Sequence, residues 1–403
     1  MASQRIPRPN GRPPRERDAN RAPRVSTQQA TEPVEGILEL TNQGHGFLRR
    51  DANWLPSRDD LFVPNGLVRQ LGLRTGQKIE ASWRPPQKGQ RSASVTQVLT
   101  VEGQNPALAK NWPTFDRLVA ESPSRRIKLE RGPEDISGRA IDLLAPMGFG
   151  QRGLIIAQPF AGKTTLLHNI GQSIAERYPE TERFILLVDE RPEEVTDFRR
   201  ANAGEVIGSS FDLGAENHLK NAELLMQRAQ RLVESGKDVV MLVDSLTRLA
   251  RASNLSGKQS GRTMTGGLDP AALQFPRKLF GGARATENGG SYTIIATVLV
   301  DTGSRMDDMV YEEFKGTGNW ELKLDRKLAE QRLYPSIDIP ASGTRREELL
   351  FTESELLATQ RLRRFLQGQS ADRAEQLDVL LKLLKKYPGN QQLIDLASQL
   401  VKQ

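Results

Sequence analysis

The pattern of hydrophobic and polar positions divides the chain into regions of different character. Residues 1–34 are rich in Arg, Pro, Asn and Gln and show no apolar periodicity, so we expect a disordered tail. Residues 35–103 contain short strand-like runs separated by turn residues. The runs are Gly36–Leu40, Gly46–Arg50, Asp60–Val63, Lys78–Trp83 and Ser94–Val101. Short strands at this spacing predict a small all-β barrel of the oligonucleotide-binding type (OB-fold).

The rest of the chain is predicted to be a linker followed by alternating strands and helices. Asn-Pro, Trp-Pro and Ser-Pro dipeptides in residues 104–125 discourage regular structure, which predicts the linker. Residues 126–403 contain near-continuous apolar runs, typical of parallel strands buried on both faces, with helical stretches between them. The runs are Leu154–Ala157, Phe184–Val188, Val239–Val243 and Thr293–Val300, and the clearest helical stretches are Lys163–Arg177 and Glu216–Glu234. From about residue 353 onward the pattern is helical, with Gly389 as a break.

A phosphate-binding loop lies between the first of these strands and the first long helix. Residues 157–164 read Ala-Gln-Pro-Phe-Ala-Gly-Lys-Thr, with alanine where the usual pattern begins with glycine. Backbone N–H groups at such a helix start cradle phosphates, Lys163 brings positive charge to the β- and γ-phosphates, and Thr164 brings a hydroxyl to Mg²⁺. The predicted nucleotide-binding positions in the loop are Pro159, Phe160, Ala161, Gly162, Lys163, Thr164 and Thr165. The chain is therefore expected to hydrolyse a nucleoside triphosphate.

Two acidic residues at strand ends extend the predicted hydrolysis site. Asp244 follows a buried strand, a position where a carboxylate holds a water of the Mg²⁺ shell. Asp189 and Glu190 follow another strand, and Glu190 is our candidate base that polarises the attacking water. The alternative for this pair is that it caps the strand or pairs with Arg191.

Residues suited to single-stranded nucleic acid occur in the barrel region. Aromatic faces and a cation fall on neighbouring predicted strands, and bases stack on such rings with a gain of about 1–3 kcal/mol each. The candidate RNA-binding residues are His45, Phe47, Arg49, Asp60 and Phe62. The alternative for each phenylalanine is a place in the core of a small barrel.

Two later loops each carry one cation in flexible surroundings. Arg262 lies in a glycine-rich stretch, residues 260–267, and Arg305 ends the string Asp-Thr-Gly-Ser-Arg after the last core strand. Flexible cationic loops at strand ends suit contact with a polyanion, and the alternative is an ordinary surface loop.

Composition narrows the classes of protein. The chain has 403 residues, which predicts two to three domains, and no cysteine, which excludes disulfides and thiolate metal sites. No apolar run is long enough to span a membrane and no secretory leader is visible, so a cytoplasmic protein is expected. Seven arginines against Glu16 and Asp18 place most of the net charge of +7 in the first 24 residues. The basic balance therefore describes the tail rather than the folded body. We expect the tail to add nonspecific RNA affinity through phosphate contacts, and the alternative is a solubilising tail with no dedicated role.

These features together resemble the Rho family of bacterial transcription termination factors. The resemblance runs from about Glu35 to the helices near residue 365. Its most specific strings are Asp-Glu-Arg-Pro-Glu-Glu-Val at 189–195, Asp-Ser-Leu-Thr-Arg-Leu-Ala-Arg at 244–251, Asp-Thr-Gly-Ser at 301–304 and Tyr-Glu-Glu-Phe-Lys-Gly-Thr-Gly-Asn at 311–319.

The resemblance implies a homohexameric, ATP-driven RNA translocase and helicase that ends transcription by acting on the RNA polymerase elongation complex. Its fold would be an α/β, RecA-like P-loop ATPase motor preceded by an OB-fold, cold-shock-like barrel. RNA would bind the barrel and then thread a central channel past Arg262 and Arg305. Arg345 would be the finger that reaches the neighbouring subunit's ATP, and Arg332 a second arginine at the subunit boundary.

The sequence also departs from the family at several positions. The arginine-rich tail replaces a small helical domain, Phe160 stands where lysine is common, and both channel loops carry arginine where lysine is usual. In the barrel, His45 stands where phenylalanine is usual and Ser92 where tyrosine is usual. We therefore expect a weaker and less pyrimidine-selective RNA site on the barrel.

Two other classes of protein remain as alternatives from the sequence. A rotary ATPase subunit, such as a flagellar export or proton-pump motor, shares the motor fold and ring but lacks the aromatic barrel surface and the cationic channel loops. An RNA-binding ring whose motor is secondary is the other alternative, because Phe160 weakens the case for tight phosphate binding.

Overall fold

The computed structural model describes residues 32–87, 89–90, 92–210, 214–256, 264–287 and 289–399. The predicted tail, apart from its last residues, lies outside this part of the chain, and so does Arg262. The first folded element begins at Val34, the last residue of the predicted tail.

A closed five-stranded barrel forms the first folded region. Its strands are β1 (Val34–Leu40), β2 (Gly46–Arg49), β3 (Leu61–Val63), β4 (Lys78–Arg84) and β5 (Ser94–Val101), in the order β1-β2-β3-β5-β4 around the barrel. Alternate residues such as Leu38, Leu48 and Ile79 point inward and are fully buried, as period-two patterning requires. The five predicted strands are confirmed, although Arg50 and Asp60 lie just outside them. Helix α1 (Asn65–Leu71), which the pattern did not predict, covers the barrel between β3 and β4.

The prediction that residues 104–125 lack regular structure is wrong in part. Asn105 caps a short helix α2 (Pro106–Ala109) by accepting from Ala107 N–H, so proline occupies the first helical turn, where its missing donor costs nothing. A 3₁₀ turn (Phe115–Arg117) and strand β6 (Ala120–Glu121) follow before the second folded region.

A mostly parallel sheet forms the centre of the second region, here called the motor. The order β11-β10-β12-β14-β9-β15-β16 runs across it, with β13 and β6 attached beside β14. The strands are β9 (Arg152–Ala157), β10 (Glu182–Glu190), β11 (Glu205–Ser210), β12 (Val239–Asp244), β13 (Arg284–Thr286), β14 (Ser291–Leu299), β15 (Trp320–Leu324) and β16 (Gly343–Thr344). A separate hairpin joins β7 (Arg126–Ile127) to β8 (Met147–Gly148). Neighbours from β11 through β15 pair in parallel, so their carboxyl ends meet at one edge.

Helices cover both faces of the sheet and bury its apolar strands. They are α3 (Ile136–Leu144), α4 (Lys163–Arg177), α5 (Pro192–Ala201), α6 (Ala215–Glu234), α7 (Leu246–Ser256), α8 (Gln274–Gly281), α9 (Arg305–Lys315), α10 (Arg326–Glu330), α11 (Glu353–Gln369), α12 (Arg373–Lys386) and α13 (Asn390–Gln399). Two apolar cores lie on opposite faces of the sheet, around Ile155 and Leu322 on one side and Leu154 and Val243 on the other. The predicted helix 163–177 is confirmed, and Gly389 lies in the break between α12 and α13.

Barrel and motor contact each other directly. Trp54, in the loop between β2 and β3, is buried within the core of the motor. Glu102, just after β5, forms a buried ion pair with Arg228 of α6. Among the described residues, no helix is long and apolar enough to cross a membrane.

Candidate functional site

The phosphate-binding loop connects β9 to α4 in a strained and well-anchored conformation. Phe160 and Gly162 both have left-handed backbone angles, at φ 67° and φ 88°. Glycine tolerates this freely, whereas a bulky residue adopts it only when its surroundings impose it. The Ser336 hydroxyl donates to the carbonyl of Ala161 at 2.7 Å, which fixes the loop from outside. The result is a helix start at Lys163 whose free N–H groups face an open site, as phosphate binding requires.

Lys163 bridges the two carboxylates predicted for the site. Its Nζ lies 2.7 Å from both Asp244 oxygens and 3.6 Å from Glu190 Oε1. Thr297 donates its hydroxyl to Asp244 Oδ1 at 2.7 Å, and Asp244 is fully buried at the end of β12. The structure therefore brings Lys163, Asp244 and Glu190 together although they lie on three separate elements.

The pKa of Glu190 is raised to about 7. Burial is the main cause, since the residue is 2% exposed, and the negative charge of Asp244 adds to it. Lys163 and Arg248 act in the opposite direction; Arg248 Nε lies 3.3 Å from Oε1. Oε1 nevertheless has no hydrogen-bond partner among the described residues. A buried carboxylate with a pKa near neutrality and one unused oxygen has the properties of a general base.

The donors present fit a magnesium ion that is bound together with nucleotide phosphates. The Thr164 hydroxyl lies 3.4 Å from Lys163 Nζ, next to the Asp244 carboxylate. Magnesium in nucleotide enzymes takes few protein oxygens and keeps waters and phosphate oxygens as its other ligands. One hydroxyl and one carboxylate beside a phosphate loop match that set.

A cavity of about 400 Å³ opens beside the loop, and Tyr334, which no sequence pattern indicated, is one of its lining residues. Its lining residues include Gly162, Thr165, Asn169, Tyr334 and Ser336. Tyr334 is 46% exposed and its ring would lie 3.6 Å from a Cβ placed on Gly162. A half-exposed aromatic ring beside a phosphate loop provides a stacking surface for a nucleotide base. Tyr334 is distant in sequence from the loop, so no local pattern pointed to it.

Phe160 is exposed on the surface of the loop. Its side chain is 84% exposed and its ring lies 5.8 Å from the Arg326 guanidinium. The predicted contact of this side chain with nucleotide is therefore not visible within one chain, whereas its backbone remains part of the loop.

Arg345 lies at the opposite edge of the sheet from the phosphate loop. Strand β16 pairs with Trp320 and Glu321 at the amino end of β15, and Arg345 follows β16 directly. β15 reaches the level of Ala157 only at Leu324, so about 13 Å of strand separate the two positions. Arg345 is exposed and cannot reach the site of its own chain. Arg332, also exposed, is close in sequence to Tyr334 on the nucleotide side.

The second cationic loop adjoins the site at the same sheet edge. Gln158 of the phosphate loop donates to Asp301 Oδ2 at 2.6 Å. Arg305 is exposed at the first position of α9, where the buried Asp307 accepts from Arg251 and from Thr302. The structure thus links the phosphate loop to the loop that presents Arg305.

The barrel carries a cluster of three rings on neighbouring strands. His45 lies 5.7 Å from Phe47 and 5.2 Å from Phe62, and the two phenylalanine rings are 6.0 Å apart. A cavity of about 510 Å³ adjoins Phe47 and Phe62, with Arg84 and Ser92 also in its lining. Both phenylalanines are only partly buried, so the alternative of a core position does not apply to them.

Arg49 and Asp60, both predicted to bind RNA, are bound to each other. Arg49 Nη1 lies 2.5 Å from Asp60 Oδ2, and a second Arg49 nitrogen lies 2.5 Å from Glu39. Both residues are nearly buried. The role of Arg49 in RNA binding stays a prediction, and the structure shows that its charge is already paired within the barrel. Asp60 Oδ1 is buried and has no hydrogen-bond partner among the described residues.

Comparisons with known proteins agree with this architecture. Residues 34–107 match the RNA-binding domain of the Rho termination factor, and residues 137–344 match the nucleotide-binding domain of the ATP synthase alpha/beta family. The chain is 50% identical to the transcription termination factor Rho of Bacillus subtilis over 92% of its length, which covers 86% of that protein. It is 47% identical to the Rho factor of Pseudomonas aeruginosa over 90% of its length and 87% of that protein. The chain belongs to the Rho family of transcription termination factors.

Solved structures place the Rho-family motor in a wider group of ATPases. An ATPase of a bacterial type III secretion system superposes with a TM-score of 0.58 at 25% identity, over 71% of this chain and 88% of that one. A subunit of the ATP synthase of Nanoarchaeum equitans superposes with a TM-score of 0.54 at 15% identity, over 70% of this chain and 78% of that one. The predicted RecA-like motor behind an OB-fold barrel is therefore confirmed.

Proposed function

We propose that the chain is an RNA-dependent ATPase and translocase that terminates transcription as a homohexamer in the cytoplasm. Family membership supports this function, and one structural observation carries the coupling that it requires. The hydrogen bond from Gln158 to Asp301 ties the phosphate loop to the loop that presents Arg305. A change at the phosphates is thereby passed to a cation positioned for RNA.

Hydrolysis would begin when ATP displaces Lys163 from Asp244. Lys163 would then pair with the phosphates, and Thr164 and Asp244 would hold the Mg²⁺ ion. Bound Mg²⁺ would neutralise charge on the phosphate oxygens. Glu190 takes a proton from the water that attacks the γ-phosphorus, and the bond to the leaving ADP oxygen breaks. A pKa of about 7 suits this transfer at neutral pH.

The missing positive charge would come from a second copy of the chain. Because Arg345 lies at the opposite sheet edge, it can act only on a neighbour's nucleotide, and Arg332 would contribute at the same boundary. An arginine supplied across an interface stabilises the charge of the transition state and links hydrolysis to ring geometry.

RNA would bind first on the barrel and then in the central channel, where Arg262 and Arg305 would contact phosphates. The three-ring cluster and the adjoining cavity support base stacking at the first site. With Ser92 in the lining and Arg49 already paired, we expect weak selectivity for pyrimidines. Competition between cytosine-rich and purine-rich oligonucleotides measures this selectivity, and a strong cytosine preference would contradict the expectation.

The RNA stimulation of ATP hydrolysis tests the proposed function. Turnover should be low without RNA and should rise sharply with single-stranded RNA, whereas RNA-independent turnover would favour a rotary-type ATPase. Lys163→Ala should abolish both hydrolysis and release of RNA from a stalled RNA polymerase complex. If release survives this change, the motor is secondary to RNA binding. Nothing at the barrel favours the rotary alternative, because residues 34–107 match an RNA-binding domain.

A further inference from the structure

The loop between β2 and β3 leaves the barrel and enters the motor. Trp54 is 6% exposed, and its ring meets Phe184 of β10 edge-to-face at 6.3 Å. Its backbone is left-handed at φ 55°, and the N–H of Trp54 donates to the carbonyl of Asp51 at 2.9 Å. A tryptophan holds this conformation only where its surroundings determine it, so the loop is built around this contact.

Asn53 completes the edge of the motor sheet. Its side-chain oxygen accepts from Gly208 N–H of β11 at 3.2 Å and from Arg199 of α5 at 3.2 Å. β11 is the last strand on its side of the sheet, and its free N–H groups need partners. We call Asn53 and Trp54 together the peg.

The peg contacts three of the elements around Glu190. Glu190 ends β10 and lies opposite Ser210 of β11, and α5 begins two residues after it. Phe184 belongs to β10, Gly208 to β11 and Arg199 to α5. The α5 helix is also stacked on the phosphate-loop helix, since Phe198 lies 3.7 Å from His168 of α4. The barrel therefore touches elements that lead to the candidate base: Trp54 meets β10 six residues before Glu190, and Asn53 meets β11 opposite Leu187, three residues before it.

The other end of the loop lies in the barrel's candidate RNA surface. Asp60 accepts from Ser57 N–H at 2.8 Å and from Arg49 at 2.5 Å, two residues before Phe62. One short loop thus joins the RNA surface to the frame around Glu190.

We propose that Asn53 and Trp54 are positioning residues through which the barrel holds the β10–β11 edge and α5 in place beside Glu190. This inference rests on the proposed function, since it assigns a role in RNA-dependent hydrolysis. The peg touches neither nucleotide nor RNA and acts through Glu190.

Other contacts between the barrel and the motor allow the role of the peg to be tested without detaching the barrel. Gly76 packs so closely on α6 that a Cβ there would lie 2.6 Å from Arg228 N, and Arg228 pairs with the buried Glu102. Arg74 pairs with Glu234 at 2.7 Å. These contacts keep the barrel attached when the peg is removed, so a peg variant changes the frame rather than the barrel's presence.

The test compares the full-length variants Trp54→Ala, Asn53→Ala and Trp54→Phe with the wild type. We expect Trp54→Ala to bind a labelled single-stranded RNA within about twofold of the wild type, since the rings and cavity are untouched. Its kcat at saturating RNA and ATP should fall by roughly tenfold to a hundredfold, as misplacement of a catalytic group predicts, with little change in KM for ATP. Asn53→Ala, which removes only hydrogen bonds, should lower kcat less, and Trp54→Phe should restore most of it. Ala52→Ser, at the exposed neighbouring position, is the matched control and should be neutral.

Three outcomes would overturn the inference. Unchanged kcat in both alanine variants would show that the peg is packing only. Parallel loss of RNA affinity and kcat would show that it serves the RNA site. If Trp54→Phe fails to restore kcat and Asn53→Ala is neutral, the loss in Trp54→Ala would be explained by the cavity that the smaller side chain leaves. The proposed function is tested separately, because it fails only if wild-type hydrolysis is not stimulated by RNA.

Discussion

The two edges of the motor sheet differ in how their charged residues are paired. At the carboxyl edge, Lys163, Asp244 and Glu190 lie within contact of one another and neutralise much of their own charge. At the amino edge, Arg345 is exposed, and its charge acts on the partly buried Glu321 of β15 without a salt bridge among the described residues. Under the proposed function, one chain would not assemble the site alone, and neighbouring copies would bring opposite edges together.

Among the substitutions considered, removal of Arg345 should lower ATP hydrolysis the most. Arg345→Ala is expected to lower RNA-stimulated kcat by about 10³-fold or more, the range of an arginine finger supplied across an interface. Arg346→Ala is the matched control, because Arg346 is an exposed neighbour whose ion pair within the described part of the chain is with Glu348. Steady-state ATPase assays of both variants check the prediction, and equal losses would contradict a specific role for Arg345.

The pH dependence sharpens the account of the carboxyl edge. Burial raises the pKa of Glu190 to about 7, and a general base works only when ionised. The kcat/KM for ATP should therefore fall about tenfold per pH unit below 7 and level off above pH 8. A profile that stays flat between pH 6 and pH 8 would contradict Glu190 as the base. Glu190→Gln should abolish the ATPase activity that follows this pH profile.

The hydrogen bond from Thr297 to Asp244 offers a smaller perturbation of the same edge. Thr297→Val removes a donor to a buried carboxylate, which costs about 1.5–3 kcal/mol where the partner is charged. ATP binding and folding stability should both weaken, as measured by nucleotide titration and thermal unfolding. Thr293→Val, on the same strand, removes a bond to Gly150 N–H and should lower stability without altering ATP affinity. If Thr297→Val and Thr293→Val weaken ATP affinity equally, Thr297 contributes through packing rather than through its hydrogen bond to Asp244.

The smallest effect is expected at Phe160. Its exposed ring makes its replacement nearly neutral for stability, within about 0.5 kcal/mol. Phe160→Lys should lower KM for ATP by a few-fold at low salt, because it returns a cation to the phosphate loop, and added salt should screen the gain. Phe160→Ala separates loss of the ring from gain of the charge. An unchanged KM in the lysine variant would show that this position faces away from the phosphates in the assembled ring.

The sequence predicted most of what depends on local pattern. The barrel strands alternate with period two, and the helix at 163–177 follows a phosphate loop, so both were visible in the residue order. Strands β15 and β16 were missed because they are short, and Trp320–Leu324 alternates with charged residues as an edge strand does. The linker prediction failed where proline occupies a first helical turn.

Features that depend on side chains meeting in space were not visible in the sequence. Arg49 had the spacing of a surface cation, but Asp60 and Glu39 neutralise it in the folded barrel. Tyr334 lines the cavity beside the phosphate loop because the chain folds back towards that loop after β15. The opposite placement of Arg345 became clear only from the pairing of β16 with the amino end of β15.

Complementation between two inactive variants tests the shared site most directly. Glu190→Gln and Arg345→Ala should each be inactive alone, since each ring then lacks one part of every site. Rings assembled from a mixture contain interfaces at which an intact Glu190 meets an intact Arg345 from the partner subunit. We predict that RNA-stimulated hydrolysis returns in the mixed rings. If no activity returns although mixed rings form, Arg345 does not complete a neighbour's site and the central claim is contradicted.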